Sequence, residues 1–199
     1  MAGAGLAAHQ KNARRLNATV AFLDESGFML RPLVRRTWAP RGCTPIIRCW
    51  DRRDRLSVIG AITAPPSRER HRLGAVFRIH AHNVRTDESL AFLRALDRHV
   101  GGPLIVVQDR LNVHKAATRR WLAGRPPDAP RVMVEWLPPY APELNPTEQL
   151  WNNGKRVDLS NLAPADTRDL RGHVRRSLIR QRCRPNLLAS AFDHAQLPL

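Results

Sequence analysis

Three acids stand where the surrounding sequence could give them chemistry. Asp24 and Asp109 each close a short apolar run, Val20–Leu23 and Leu104–Val107 with Gln108. Such runs read as buried strands, and the carboxyl ends of strands in α/β sheets are favoured places for ligand-binding and catalytic side chains. If the two strands are parallel neighbours, both carboxylates enter one crevice. Glu148 falls in the first turn of a helix opened by Asn145-Pro146, and a helix start at the same edge would add a third acid. Three carboxylates with few other ligands suit Mg²⁺, which takes oxygen donors and keeps positions for water and phosphate. Two such ions ~3.5–4 Å apart hold the attacking and leaving oxygens of a phosphodiester. Plainer readings exist for each acid. Asp24 in Asp-Glu-Ser-Gly could be a turn residue, and Asp109 could cap the next helix. Glu148 matches a capping box with Asn145 as N-cap and Pro146 at N1. Capping does not exclude metal binding, because a helix N-terminus favours the ionised carboxylate. Spacing alone leaves both open.

The elements that must carry these acids are legible from periodicity. Val20–Leu23 is a strand with a polar end, Asp24-Glu25-Ser26-Gly27. Phe28–Trp38 reads as a further strand, closed by the turn Ala39-Pro40-Arg41-Gly42. Leu56–Thr63 and Gly74–His82 are strands, the latter alternating Ala75, Phe77 and Ile79 against Val76, Arg78 and His80. Antiparallel strands, three in the expected sheet, thus precede the first long helix, from near Thr86 to the Gly101-Gly102 stop. Leu104–Val107, a helix over Val113–Leu122, a loop at Arg125–Pro130 and a strand over Val132–Leu137 follow. After the helix at Asn145-Pro146, another spans about Pro164 to Arg182, with Leu170, Val174 and Leu178 on one face. The tail from Pro185 holds one more short helix. The order predicts an α/β fold, a mixed sheet with covering helices.

Composition narrows the partner. The 199 residues carry 33 Lys+Arg against 17 Asp+Glu, a net charge of +16, with 43% hydrophobic residues. That is one globular domain with chain enough for a core, and its charge calls for a polyanion. No apolar run approaches the ~20 residues of a membrane span, and no h-region marks a secretory signal. Cys43, Cys49 and Cys183 form no C-x-x-C pair, so neither a structural zinc site nor a disulfide scaffold is expected, and the compartment reads as a reducing cytoplasm. The charge is uneven. Arg31–Arg55 holds eight arginines against two aspartates, whereas Asp24–Leu30 holds two acids and no base. A metal-binding acidic centre in basic surroundings fits phosphodiester chemistry on nucleic acid better than a membrane surface.

Four stretches carry a family resemblance: Phe22-Leu23-Asp24-Glu25-Ser26-Gly27-Phe28; Arg36-Thr37-Trp38-Ala39-Pro40-Arg41-Gly42; Gln108-Asp109-Arg110-Leu111-Asn112-Val113-His114-Lys115; and Leu137-Pro138-Pro139-Tyr140-Ala141-Pro142-Glu143-Leu144-Asn145-Pro146-Thr147-Glu148-Gln149-Leu150-Trp151. From about Asn17 to Lys155 the chain resembles the DDE transposases of the mariner superfamily, in their bacterial insertion-sequence branch. The resemblance implies a ribonuclease-H-like fold. It places the catalytic, metal-holding acids on Asp24, Asp109 and Glu148, and Glu143 at a noncatalytic position. It implies two Mg²⁺ ions, for which Mn²⁺ can substitute, cleavage at transposon ends, and strand transfer into target DNA, typically at TA. A homodimer on DNA and a nucleoid-associated location in the cytoplasm follow from the same resemblance.

Departures from the family pattern are informative. Between Asp109 and Glu148 lie 38 residues, more than in mariner elements, with the excess expected in the Arg125–Pro130 loop. Arg110 stands where many members have Asn. About 20 residues precede Asp24, too few for the family's helix-turn-helix end reader. The expectation is a catalytic domain alone: the second frame of a split gene, with that reader on a separately encoded subunit, or a truncated relic, or a cloned fragment. Its expected organisation is a basic segment over 1–16, the catalytic unit over 17–160 and a basic helical extension over 161–199. Candidate DNA contacts are Arg35, Arg36, Trp38 and Arg41, with Arg110, His114, Lys115, Lys155 and Arg156. Alternatives are a ribonuclease-H-like nuclease without strand transfer and a non-catalytic DNA-binding remnant.

Overall fold

A computed structural model describes residues 16–49, 54–67, 72–139 and 141–197. The expected basic N-terminal segment therefore lies outside the described residues, apart from Leu16. Five strands form one sheet in the order β3-β2-β1-β4-β5. β1 (Thr19–Met29), β2 (Arg55–Ala64) and β3 (Gly74–His80) are antiparallel, while β4 (Leu104–Gln108) and β5 (Val132–Trp136) run parallel to β1. The expected mixed sheet with covering helices is the observed one.

Alternation along β1 shows why the sheet is covered on both faces. Val20 and Phe22 enter one core with Ile62, Val107, Trp151, Val174, Leu178 and Phe192. Ala21 and Leu23 enter the other with Ile59, Leu93, Val106, Ala117 and Trp121. The second core is roofed by α1 (Thr86–Val100) and α2 (Asn112–Ala123), which pack on each other. The first is roofed by α3 (Thr147–Asn153), α4 (Thr167–Arg182) and α5 (Pro185–His194).

The structure corrects the reading of residues 24–38. Asp24 to Gly27 is not a turn, and no strand spans Phe28–Trp38. β1 runs through the polar residues because β2 pairs with it without a break, from Val20↔Ala64 to Met29↔Arg55. Backbone pairing does not require an apolar side chain, so the polar stretch stays in the ladder. Residues 33–45 are exposed irregular chain. This arm is tethered by a parallel bridge between Leu33 and Ser160, and by the Asn161 side chain, which accepts from Arg35 N at 2.7 Å and donates to Arg35 O at 3.0 Å.

Helix starts also shift. α3 begins at Thr147 rather than Asn145, and α4 at Thr167 rather than Pro164, capped by Asp166 accepting from Asp169 N at 2.7 Å. A π-helical turn, Gly154–Asp158, continues α3. Asp158 accepts from Ser177 at 2.6 Å and Arg180 at 3.2 Å, which ties the turn to α4.

One glycine governs how α3 meets the sheet. Gly60 sits opposite Asp24 in the β1–β2 ladder. A Cβ there would lie 2.8 Å from the Trp151 ring and 3.1 Å from Val76 O. Only a bare backbone lets the Trp151 indole lie against β2. Gly60→Ala is therefore expected to destabilise the protein by about 1–3 kcal/mol through overpacking, read as a lower urea midpoint. An unchanged midpoint would refute the tight packing of this indole.

Candidate active site

Register brings the two aspartates together. β1 and β4 pair in parallel from Thr19↔Leu104 to Phe22↔Val107. Asp24 and Asp109 each lie two residues past that last pair, so both stand at the same carboxyl edge of the β1–β4 pairing, Asp24 still paired with Gly60 of β2. Asp24 shares the face of Phe22 by alternation, the face that α3 covers.

The start of α3 is fastened to that edge through the backbone. Thr147 donates its hydroxyl to Phe22 O and accepts from Ile62 N at 3.2 Å. Asn145 donates its amide to Leu23 O at 3.1 Å and accepts from Thr147 N at 3.2 Å. Both side chains are buried. They place Glu148, the next residue, beside Asp24. The expected capping box is not formed. Asn145 N donates to Pro142 O at 2.9 Å instead of to Glu148, and the Glu148 carboxylate lines a cavity of about 450 Å³ with Asp24, Asp109, Arg110, Leu137 and Asn145. Asp109 is likewise no helix cap, since its Oδ1 accepts from Leu111 N at 3.1 Å, ahead of α2.

The electrostatics of the three acids differ. Burial, reinforced by the neighbouring Glu148 carboxylate, pushes the Asp24 carboxyl up to about 7, against the pull of hydrogen bonds from Trp151 and from backbone. The Trp151 indole N–H donates to Asp24 Oδ2 at 2.8 Å. Burial also acts on Asp109, but its bond and charge contact with His114 outweigh this and hold it below the usual carboxylate range. His114 is 1% exposed. Its Nδ1 lies 2.5 Å from Asp109 Oδ1 and its Nε2 2.8 Å from Glu25 Oε1. Burial lowers the imidazole, yet these two carboxylates raise it to about 9, so it is a cation at neutral pH with both ring N–H groups donating. Half-buried Lys155 donates to Ser26 Oγ at 2.8 Å and lies over the Phe28 ring at 5.5 Å. Burial lowers its ammonium, while Glu148 and Asp24 pull it back up.

The donor set fits a hard divalent cation. Asp24, Asp109 and Glu148 offer only carboxylate oxygens to the cavity, and the proton retained on buried Asp24 marks two acids short of a counter-charge. Among the described residues no three His, Cys, Asp or Glu side chains are gathered into a ready-made metal cluster. Asp24 and Glu148 form a pair, and Asp109 stands beside them with one oxygen committed to His114.

The candidate DNA contacts divide by position. Arg110 is exposed on the cavity rim. Arg35, Arg36, Trp38 and Arg41 lie on the exposed arm, with Trp38 100% exposed. Lys115 and Arg156 are exposed, and Arg35 donates to Arg156 O at 2.7 Å. His114 is the correction: buried and engaged at both nitrogens, it has no free edge for DNA. Residues that the sequence did not single out are Glu25, Gly60 and Thr147. For Glu25 the signal was strand alternation, which sets it on the face opposite Asp24.

Comparison with known proteins places this geometry. The family model described as DDE superfamily endonuclease matches residues 19–171. Among solved structures, the chain is similar to "Mos1 transposase paired-end complex with left transposon end" (15% identity, TM-score 0.56, covering 94% of this chain and 60% of that one). It is also similar to "Crystal structure of the mariner Mos1 paired end complex with Mg" (12%, 0.59, 96% and 58%). A third is "Crystal structure of the Mos1 Strand Transfer Complex" (14%, 0.54, 96% and 59%). At such identities the likeness is one of fold, ribonuclease-H-like as expected, and this chain spans less than two thirds of those chains. A search of curated proteins finds no significant match.

Asp24 makes stability depend on pH. Its carboxyl is raised from 3.8 to about 7 in the folded protein, so its stabilising contribution is complete below pH ~4 and is lost as pH rises through about 7. In chelator, the urea midpoint should fall across that window for the wild type and fall less for Asp24→Asn. Parallel pH profiles for the two proteins would refute the burial of a protonated Asp24.

Proposed function

This chain belongs to the DDE superfamily endonuclease family, and on that premise we propose that it is the catalytic domain of a transposase that cuts DNA at transposon ends and joins the 3′-hydroxyl to target DNA. The observation that carries this reading is the meeting of Asp24, Asp109 and Glu148 in one cavity at the carboxyl edge of parallel strands. These three residues would hold the divalent cations, Mg²⁺ with Mn²⁺ as a substitute. When bound, the cations supply activation of water or a 3′-hydroxyl and stabilisation of the leaving oxygen.

The chain's own residues do the rest. Trp151 fixes the Asp24 rotamer through its indole N–H. Asn145 and Thr147 hold Glu148 in place by binding β1 backbone. Arg110, exposed on the cavity rim, offers its guanidinium to a DNA phosphate. Lys155, reaching Ser26 from the π-turn, brings positive charge to the same edge. The arm with Arg35, Arg36, Trp38 and Arg41, together with Lys115 and Arg156, extends the phosphate-binding surface.

The same proposal takes 17–160 as the catalytic unit and 161–199 as its basic extension, acting as a homodimer on DNA, with target joining at TA and a separately encoded helix-turn-helix subunit reading the ends. It places the protein on the nucleoid in the cytoplasm. No helix among the described residues is long and apolar enough to cross a membrane.

The test gives wild type, Asp24→Asn, Asp109→Asn and Glu148→Gln proteins Mg²⁺ and DNA bearing the element's ends. Each variant is expected to stay folded and to lose cleavage by about three orders of magnitude or more, some 4 kcal/mol of transition-state stabilisation. Nicking at wild-type rate by any of the three would overturn its assignment. Cleavage by the wild type without joined product would favour a nuclease over a transposase.

A further inference from the structure

His114 and Glu25 are bound up with the site without lining its cavity. Asp24 and Glu25 are neighbours in β1, so their side chains leave opposite faces of the sheet. Glu25 thus points to the face roofed by α2, whose buried residues are His114, Ala117, Thr118 and Trp121. From there the His114 ring spans the edge of the sheet. Its Nε2 meets Glu25 Oε1 at 2.8 Å and its Nδ1 meets Asp109 Oδ1 at 2.5 Å. Asp109 follows the last residue of β4 and is not in the ladder. Its Oδ1 is held by the imidazole and by Leu111 N at 3.1 Å, and no described residue bonds its Oδ2.

We propose that Glu25 and His114 are positioning residues: a carboxylate–imidazole relay that reaches Asp109 from behind the sheet, fixes its rotamer, and reserves Oδ2 for a divalent cation. Asp24 has a strand and the Trp151 indole to orient it, and Glu148 has the Asn145–Thr147 fastening. Among the described residues, Asp109, on a loop, is held by the relay and the Leu111 amide alone. A ligating carboxylate whose other oxygen is held by a hydrogen bond is pre-oriented, and loss of such outer partners costs about 10–100-fold in metal affinity or activity. Both ends of the relay are required. Glu25 accepts from Nε2, and that bond sets the ring plane in which Nδ1 meets Asp109. The relay rests on the proposal that Asp109 is a cation ligand.

The experiment measures Mn²⁺ binding by electron paramagnetic resonance on the full chain, and the Mn²⁺ concentration giving half-maximal nicking of DNA bearing the element's ends. Proteins compared are wild type, Glu25→Ala, Glu25→Gln, His114→Asn and Asp109→Asn. Glu25 is partly exposed where His114 is buried, so its variants carry the test where His114→Asn does not fold, and circular dichroism checks the fold of each. Expected for Glu25→Ala and His114→Asn is a shared rise of about 10–100-fold in the Mn²⁺ dissociation constant and half-saturation, with maximal rate largely recovered at saturating Mn²⁺. Glu25→Gln, which keeps an acceptor for Nε2, should shift less than Glu25→Ala. Wild-type Mn²⁺ affinity in Glu25→Ala would overturn the relay. So would a folded His114→Asn that does not follow Glu25→Ala, or a fall in maximal rate with affinity unchanged. Asp109→Asn separates the two levels. Undiminished Mn²⁺ binding there removes the cation reading itself, whereas lost binding there beside an unaffected Glu25→Ala removes the relay alone.

Discussion

Everything at the candidate site depends on how the start of α3 is joined to the sheet. A short helix of seven residues has little stability of its own, and it must arrive at one position to bring Glu148 beside Asp24. Asn145 and Thr147 achieve this by bonding main-chain groups of β1 and β2, namely Phe22 O, Leu23 O and Ile62 N. Backbone atoms inside a paired sheet do not change rotamer, so the helix is referenced to the most rigid part of the molecule. The Trp151 indole then occupies the space that Gly60 leaves and reaches Asp24 from the same helix. Carboxylate, helix start and indole form one mechanical unit.

That unit works against its own electrostatics. Two carboxylates are brought together in a partly buried cavity, and Asp24 responds by holding its proton to about pH 7. Compensating cations lie just outside. Lys155 approaches from the π-turn, and His114 is charged between Asp109 and Glu25. The excess of arginine over acid lies beyond them, on the exposed arm and on helix faces. A chain of net charge +16 thus sets three acids around one cavity, so an approaching polyanion meets a positive surface and a negative centre.

Much of this was legible before any coordinates. Two aspartates that each follow a short apolar run, and the family through the proline turn leading to Glu148 and Trp151, are read directly from the sequence, whereas the parallel pairing of the two strands is a condition that the sequence left open and the structure meets. What was not legible has physical causes. Polarity at Asp24–Ser26 suggested the end of a strand, but pairing is a backbone property and β2 carries β1 on to Met29. Asn145, Pro146 and Glu148 have the spacing of a capping box, yet Asn145 spends its side chain on β1 and leaves Glu148 to the cavity. Local pattern cannot reveal a partner 122 residues away. His114, five residues after Asp109, could be read as a DNA contact or as a structural residue at a helix start, and the local pattern does not separate the two. Its burial comes from Glu25, on a strand 89 residues earlier.

The Arg125–Pro130 loop gives the spacing between the acids a different meaning. It lies between α2 and β5, where Arg131 O accepts from Leu104 N at the start of β4. That is the amino edge of the parallel strands, and Asp24, Asp109 and Glu148 are at the carboxyl edge. Residues gained or lost in the loop lengthen the chain between the second and third acids without moving either. The interval of 38 residues is therefore free of the geometry of the candidate site, because its loop lies at the far end of the sheet.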